Sequence, residues 1–461
     1  MHESHARPAR DRWADLKKLF RQISGSVCAP RGFECAVVFC DIKKLGTGKG
    51  SEKGQKNDLA LIVSAIPAAV AGMFTTNRVC AAPVKISRDC CARKFARAIV
   101  VNSGNANAAT GVQGLRDAKA MTRITAEAVA AVYDRRNREK SQMSALIERR
   151  YRRVGAKDVL VCSTGRIGVP MPMKNVERGI RACAPLLARS TSNAGDVAEA
   201  IMTTDTRRKE IALEFDVGRS TVRIGGICKG AGMIQPGMAT MLAFITTDAA
   251  IEPATLKSAL KIAVQQSFNR ITVDGDMSTN DSVIALANGL AGNRKLVTRH
   301  ASLVTFQNAL NLVCLELSKM IVRDGEGTSR FVALHIHGAR NDHEAELAAR
   351  SVANSSLVRA SWCGGDPNWG RILCALGYSA ADVDETIVDV GYARAGRPKI
   401  VFAFRRGRPT NVALKTLARI TAEPEFDLHV DLHRGRGEFV LYAADLTEDY
   451  VAFNKGDGIG G

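Results

Sequence analysis

The sequence lacks most of the features that would commit it early to a class. It has no apolar run long enough to cross a bilayer; Ala65 to Phe74 falls well short of the roughly 20 residues a helix needs. The N-terminus, MHESHARPARDRWADLKKLF, carries charge of both signs and has no apolar centre, which argues against a secretory signal. Aromatic residues make up 5%, with no single-strand-binding or zinc-finger pattern among them, so nucleic acid is not expected as a partner. The 12 cysteines include no C-x-x-C pair, and the adjacent Cys90 and Cys91 could not easily bridge each other. Reduced thiols in a cytoplasmic protein are therefore expected. A phosphate-binding loop is also missing, because Gly50 separates Lys49 from Ser51 in the glycine-rich stretch 46–56. The acidic turn Asp274-Gly-Asp-Met-Ser-Thr-Asn-Asp281 lacks the terminal Glu of a calcium loop and is expected to be a hydrogen-bonded structural turn. No membrane, metal or cofactor is expected on these grounds.

What the chain does have is size and positive charge. Its 461 residues, 46% of them hydrophobic, suffice for two or three cores. The net charge of +19, from 65 basic and 46 acidic side chains, suits solubility or the attraction of small anionic substrates. From Gly32 onward, strand-like and helical segments alternate, which predicts an α/β fold. Strands are expected at 34–42, 58–66, 98–103, 158–163 and 221–227. Helices are expected at 112–132, 175–189, 194–203, 252–267 and 304–320, and 425–440 resembles a closing hairpin. Residues 1–29 are expected to be an appendage with a short helix at 13–20. The basic stretch 133–157 is expected to be an exposed helical excursion. Leu334-His-Ile-His337 puts two histidines on one face of a strand; no third ligand is evident, and a solvent-facing strand is the simpler reading.

The stretch that organises the rest is Lys229-Gly-Ala-Gly-Met-Ile-Gln-Pro-Gly-Met-Ala-Thr240. It joins two predicted strands through a glycine-rich segment and ends in Thr at the head of the second strand. That is the layout of an N-terminal nucleophile. The Thr240 hydroxyl would attack the carbonyl of Ala239, the resulting ester would hydrolyse, and Thr240 would become a chain end. Its freed α-amine, with a reference pKa of about 7.7–8.0, could then act as its base. On this stretch alone, a glycine-rich turn that happens to contain Ala-Thr is the more economical reading. Two other loops bear on the choice. Gly104 to Gly111 is a small-residue turn at the head of a predicted helix, suited to holding an oxyanion, and an ordinary Asn/Gly loop is as good a local reading. Glu326 lies in a glycine-flanked loop, from which a carboxylate can point into a pocket.

Taken together, these segments resemble the ornithine acetyltransferase (glutamate N-acetyltransferase) family of arginine biosynthesis. The resemblance is carried by Asp58-Leu-Ala-Leu-Ile62, Phe74-Thr-Thr-Asn-Arg78, Asn102-Ser-Gly-Asn-Ala-Asn-Ala108 with Thr110-Gly111, and Ser163-Thr-Gly165. It continues through Lys229-Gly-Ala-Gly-Met-Ile234, Met238-Ala-Thr-Met-Leu-Ala-Phe244, Asp274-Gly-Asp276 with Ser278-Thr-Asn-Asp281, Arg323-Asp-Gly-Glu-Gly327 and Asp366-Pro-Asn-Trp-Gly-Arg-Ile372. The resemblance implies a self-processed, N-terminal-nucleophile-like acyltransferase with stacked sheets and flanking helices.

Cleavage between Ala239 and Thr240 would leave an α chain (30–239, after the 1–29 extension and including the insertion 133–157) and a β chain (240–461), paired as α2β2. Thr240 would be the acetyl-accepting nucleophile, and Thr110 and Gly111 the oxyanion hole. Thr164, Lys229, Thr240, Glu326 and Asn454 would bind substrate. The implied reaction moves acetyl from N2-acetylornithine to glutamate, with acetyl-CoA as an additional donor in some members. Three positions depart from the family pattern: Gly237 for Asn, Ala109 for Cys, and Ile459 where a hydroxyl residue is expected. A self-cleaving aminopeptidase and a non-enzymatic basic binding protein are the alternatives.

Overall fold

The computed structural model describes residues 19–43, 56–139, 154–235, 241–298 and 301–455, with side chains of 137–139 not described. Thr240, Ala239, Gly237 and Ile459, most of the expected helix at 13–20 and most of the basic stretch lie outside the described residues.

In chain order the strands are β1 (Arg21–Gln22), β2 (Phe33–Val38), β3 (Leu59–Phe74), β4 (Phe95–Asn105) and β5 (Val159–Arg166). They continue as β6 (Lys209–Val217), β7 (Ser220–Lys229), β8 (Leu242–Thr247), β9 (Ile271–Thr272), β10 (Ser282–Ala287) and β11 (Phe331–Ala339). The last are β12 (Asp389–Arg394), β13 (Val401–Arg405), β14 (Arg408–Pro409), β15 (Glu425–Asp431) and β16 (Gly437–Ala444). They make two mixed sheets. The first runs β1-β6-β7-β8-β10-β3-β4-β5, with β2 also on β3; the second runs β14-β13-β12-β15-β11-β16-β9.

β4, β8 and β10 are buried almost throughout rather than alternating, because helices cover both faces of the first sheet. On one face, Pro253–Gln265 and Leu303–Arg323 lie between the two sheets and share a core with Ile224, Ile245, Phe331 and Tyr442. On the other face pack Gly111–Glu139, Met173–Cys183 and Thr191–Ala200. The outer face of the second sheet carries Asp342–Asn354, Ser356–Cys363, Trp369–Gly377 and Leu414–Thr421. The fold is thus α/β with stacked sheets and flanking helices. β3 extends beyond the expected 58–66 and changes neighbours at Pro67: residues 59–64 pair with β2, and 69–74 with β10. Proline has no N–H for a ladder, so a strand tolerates it where pairing is interrupted.

Three expectations change. The chain joins the fold well before residue 30: β1 pairs with β6, Phe20 packs edge-on against Phe215, and Val27 is fully buried. Gly225 permits this, since a Cβ there would stand 1.8 Å from the Ser26 carbonyl oxygen. The helix expected at 112–132 runs to Glu139, into the basic stretch. The closing hairpin does not form. β11 lies between β15 and β16, parallel to the first and antiparallel to the second, and the 432–436 connection bends over its end, where Gly435 N–H donates to the Gly338 carbonyl.

Candidate active site

Lys229, the last residue of β7, pairs with Leu242 at the start of β8, so the segment between them is the hairpin connection of two adjacent antiparallel strands. Its described ends are fastened by side chains. Gly230 N–H donates to Asp205 Oδ1 (2.7 Å), and Met233 and Ile234 N–H donate to the two Asp274 oxygens (2.5 and 2.8 Å). On the far side, Met241 N–H donates to Asp281 Oδ1 (3.0 Å). Two carboxylates of the 274–281 turn therefore hold the chain immediately before and after the stretch that ends in Thr240. That turn is hydrogen-bonded within itself as well, as expected.

Around this loop the expected substrate residues come together. Lys229 Nζ donates to Thr164 Oγ1 (3.2 Å), and both side chains are buried. Asn454 Nδ2, on the closing helix Glu448–Asn454, donates to Glu326 Oε2 (2.9 Å). Gly232 packs so closely on the Glu326 carboxylate that a Cβ would come within 2.4 Å of it, and Glu326 N–H donates to the Ala231 carbonyl (2.9 Å). The carboxylate is thus seated against the loop that leads toward Thr240.

Behind Lys229 runs a buried chain of charges that the sequence did not disclose. Lys209 Nζ bridges Asp205 Oδ1 (2.7 Å) and Asp324 Oδ2 (2.5 Å). Burial pushes the Lys229 ammonium toward its neutral form, and Lys209 adds to this, while Asp205, Glu326 and Asp281 pull the other way. Burial alone would raise the Asp205 pKa, but Lys229, Lys209 and the Gly230 N–H together hold it down at about 2. Asp205 is therefore a fixed anion that opposes the loss of charge which burial imposes on Lys229. A substrate carboxylate arriving beside Lys229 and Thr164 would add to that stabilisation.

Thr110 and Gly111 open the helix Gly111–Glu139, whose first-turn N–H groups have no partner within the helix. The turn before them is strained: Asn107, Ala109 and Gly111 have φ of 48°, 54° and 59°. Asn and Gly tolerate that region, but Ala costs about 1–2 kcal/mol there. Thr110 Oγ1 donates to Asn107 Oδ1 (2.7 Å), which fixes the turn, and among the described residues no atom beyond the local backbone lies within 4 Å of where a Gly111 Cβ would project. An anion could approach here. Asn280 ties the turn to β5, the strand carrying Thr164, its Nδ2 donating to the Ala106 and Ser163 carbonyls (2.6 and 2.8 Å). Asp205, Asp281 and Asn280 are the positioning residues that sequence reasoning missed; the matched motif around 278–281 was the only signal for the last two.

Comparison with known proteins places the chain. The ArgJ family profile matches residues 43–456. The chain belongs to the ArgJ family. It is 44% identical over 432 residues to the arginine biosynthesis bifunctional protein ArgJ of Symbiobacterium thermophilum, covering 94% of this chain and 98% of that protein. It is 42% identical over 442 residues to the glutamate N-acetyltransferase of Methanocaldococcus jannaschii, again covering 94% and 98%. Among solved structures, ArgJ of Bacillus halodurans matches with 39% identity and a TM-score of 0.44, over 46% of this chain and 98% of that one. Ornithine acetyltransferase of Mycobacterium tuberculosis complexed with ornithine matches with 32% identity and a TM-score of 0.38, over 47% and 98%. The family resemblance drawn from the motifs is thus borne out, and the chain is an acyltransferase of that family. Among the described residues, no helix is long and apolar enough to cross a membrane.

Proposed function

We propose that the chain transfers acetyl from N2-acetylornithine to glutamate through an acetyl-Thr240 ester, releasing ornithine and forming N-acetylglutamate. The observation that carries this reading is the Thr164–Lys229 and Glu326–Asn454 pairing on either side of the nucleophile loop, a cation and an anion set for a zwitterionic ligand. Lys229 and Thr164 take the substrate's α-carboxylate, and Glu326 with Asn454 takes a positively charged group. Thr240 Oγ attacks the acetyl carbonyl while its own α-amine accepts the hydroxyl proton. The oxyanion rests on the N–H groups of Thr110 and Gly111, and the amine returns the proton to the departing ornithine nitrogen. The reverse sequence, with the glutamate amine attacking the ester, completes the exchange. Acetyl-CoA can serve as a second donor to the same Thr240.

In this reading the chain cuts itself between Ala239 and Thr240. The two products, 1–239 and 240–461, stay together as α2β2 in the cytoplasm without a cofactor. An aminopeptidase would have little use for a buried lysine and a seated carboxylate flanking one loop. The test joins intact mass to an acetyl-transfer assay. The purified protein should comprise two chains, and incubation with N-acetylornithine without glutamate should add one acetyl group to the chain starting at Thr240. Thr240→Ala should stay whole and inactive, and Thr240→Ser should still cleave. An active, uncut Thr240→Ala protein would overturn the assignment.

A further inference from the structure

The acetyl-transfer site uses none of the chain's histidines, and three of them converge elsewhere. His335 and His337 project from one face of β11, and His429 stands beside them on β15, in register with His335. Side chains two residues apart on a strand share a face, and a parallel partner in register adds the third to the same patch. The opposite face of these strands, with Leu334, Ile336, Leu428 and Val430, is packed core, so the three imidazoles are held by a rigid sheet. All three are half-buried. Their rings lie nearly parallel, with centroids 4.5 Å apart for His335 and His429, 5.8 Å for His337 and His429, and 6.1 Å for His335 and His337. One ring nitrogen of each lies within 4.8 Å of the other two.

A neutral imidazole keeps one lone pair, the form in which histidine binds metals. His429 Nδ1 is buried and has no hydrogen-bond partner among the described residues. Buried polar atoms in that state are uncommon and call for an explanation such as an ion. A simple stack of imidazoles accounts for the ring geometry but leaves that nitrogen unexplained.

We propose that His335, His337 and His429 form a site for a divalent transition-metal ion of the zinc class, with a fourth position for water. Zinc–imidazole bonds of about 2.0–2.1 Å require tetrahedral ligand nitrogens about 3.4 Å apart. The ring nitrogens, now within 4.8 Å of one another, would close to that spacing on binding by rotation of the rings about χ2. All-nitrogen ligands select against calcium and magnesium, which prefer oxygen. The site begins four residues into β11, about 13 Å along the strand from Phe331 and further from the Glu326 loop. It therefore clips β11 to β15 rather than serving the acetyl transfer.

The full chain, treated with chelator and kept reduced, is titrated with Zn²⁺ and separately with Co²⁺. One equivalent should bind per chain, and the cobalt adduct should show a tetrahedral ligand-field spectrum without thiolate charge transfer. His337→Ala and His429→Ala should each weaken binding at least tenfold while leaving metal-free acetyl transfer unchanged. Should His429→Ala fail to fold, His337→Asn gives the same comparison. Absence of stoichiometric binding, thiolate bands, or binding unchanged in the histidine variants would overturn the proposal.

Discussion

Replacing Glu326 with Gln keeps the shape of the side chain and removes its charge, which isolates its proposed role. In the wild type the carboxylate is half-buried, accepts a hydrogen bond from the exposed Asn454 at 2.9 Å and is seated on Gly232. A hydrogen bond to a charged group contributes about 1.5–3 kcal/mol, and partial exposure on the Asn454 side places this one at the lower end. At about 1.4 kcal/mol per factor of ten, the KM for N-acetylornithine should rise roughly tenfold. N-acetylornithine ends in an ammonium where glutamate ends in a carboxylate, so the loss should fall on the ornithine half-reaction. Separate half-reaction kinetics read this directly: release of ornithine from N-acetylornithine, and capture of acetyl from the acetylated enzyme by glutamate. An unchanged KM for N-acetylornithine, or a larger loss for glutamate, would refute the assignment of Glu326 to the ammonium.

Lys229→Ala should weaken both substrates by a larger amount, on the order of 2–5 kcal/mol, because this lysine is buried and both substrates carry an α-carboxylate; saturation kinetics would check it. Asp281 is raised well above its ordinary 3.8 by burial, so the folded state retains a proton that the unfolded state releases, and stability should fall as pH rises above that value. Asp281→Asn should flatten that fall in pH-dependent denaturation curves. Asp205 works in the opposite sense: its contribution, present above 3.8, should be lost as pH falls toward its folded pKa of about 2. Asn280→Ala leaves two buried carbonyls unpaired, at about 1–3 kcal/mol each, whereas Asn280→Asp sets a carboxylate against them and should be worse; equal denaturation midpoints would contradict this. Deleting residues 456–461 should change the kinetics little, because Ile459 has no hydroxyl to offer, while Asn454→Ala should raise the KM for N-acetylornithine.

Much of the fold was legible where a signal was local. Apolar runs such as Leu242–Thr247 marked buried strands, and Pro253–Gln265 lies within its expected helix. The hairpin at 425–440 was misread because neighbours in sequence usually pair, whereas the hydrogen-bond partner of both strands is β11, about a hundred residues earlier. Long-range pairing has no local signature. The same limit applies to His429, which completes a histidine pair from a distant strand, and to Asp205 and Asp324, which Lys209 bridges. The Asn-Gly composition of 104–111 announced a turn, but not that Ala109 would be held at positive φ within it.

That strained turn has to be held in place, and the 274–281 segment does so. Asp274 and Asp281 accept the N–H groups on the two sides of the stretch that ends in Thr240, while Asn280 donates to the turn before Thr110 and to the strand carrying Thr164. These are three separate parts of the chain, and in the proposed mechanism all three act on one substrate molecule, the first two on its acetyl group and Thr164 on its α-carboxylate. A displacement of about 1 Å can cost a hundredfold in rate. Fastening each part to one short turn makes their errors common rather than independent: in the proposed mechanism, if the turn shifts, the nucleophile loop, the oxyanion donors and the carboxylate site shift with it. This accounts for burying Asp281 at the expense of its ionised form. A solvent-facing anchor would be easier to ionise but free to move, and the loop it holds would move against the other two.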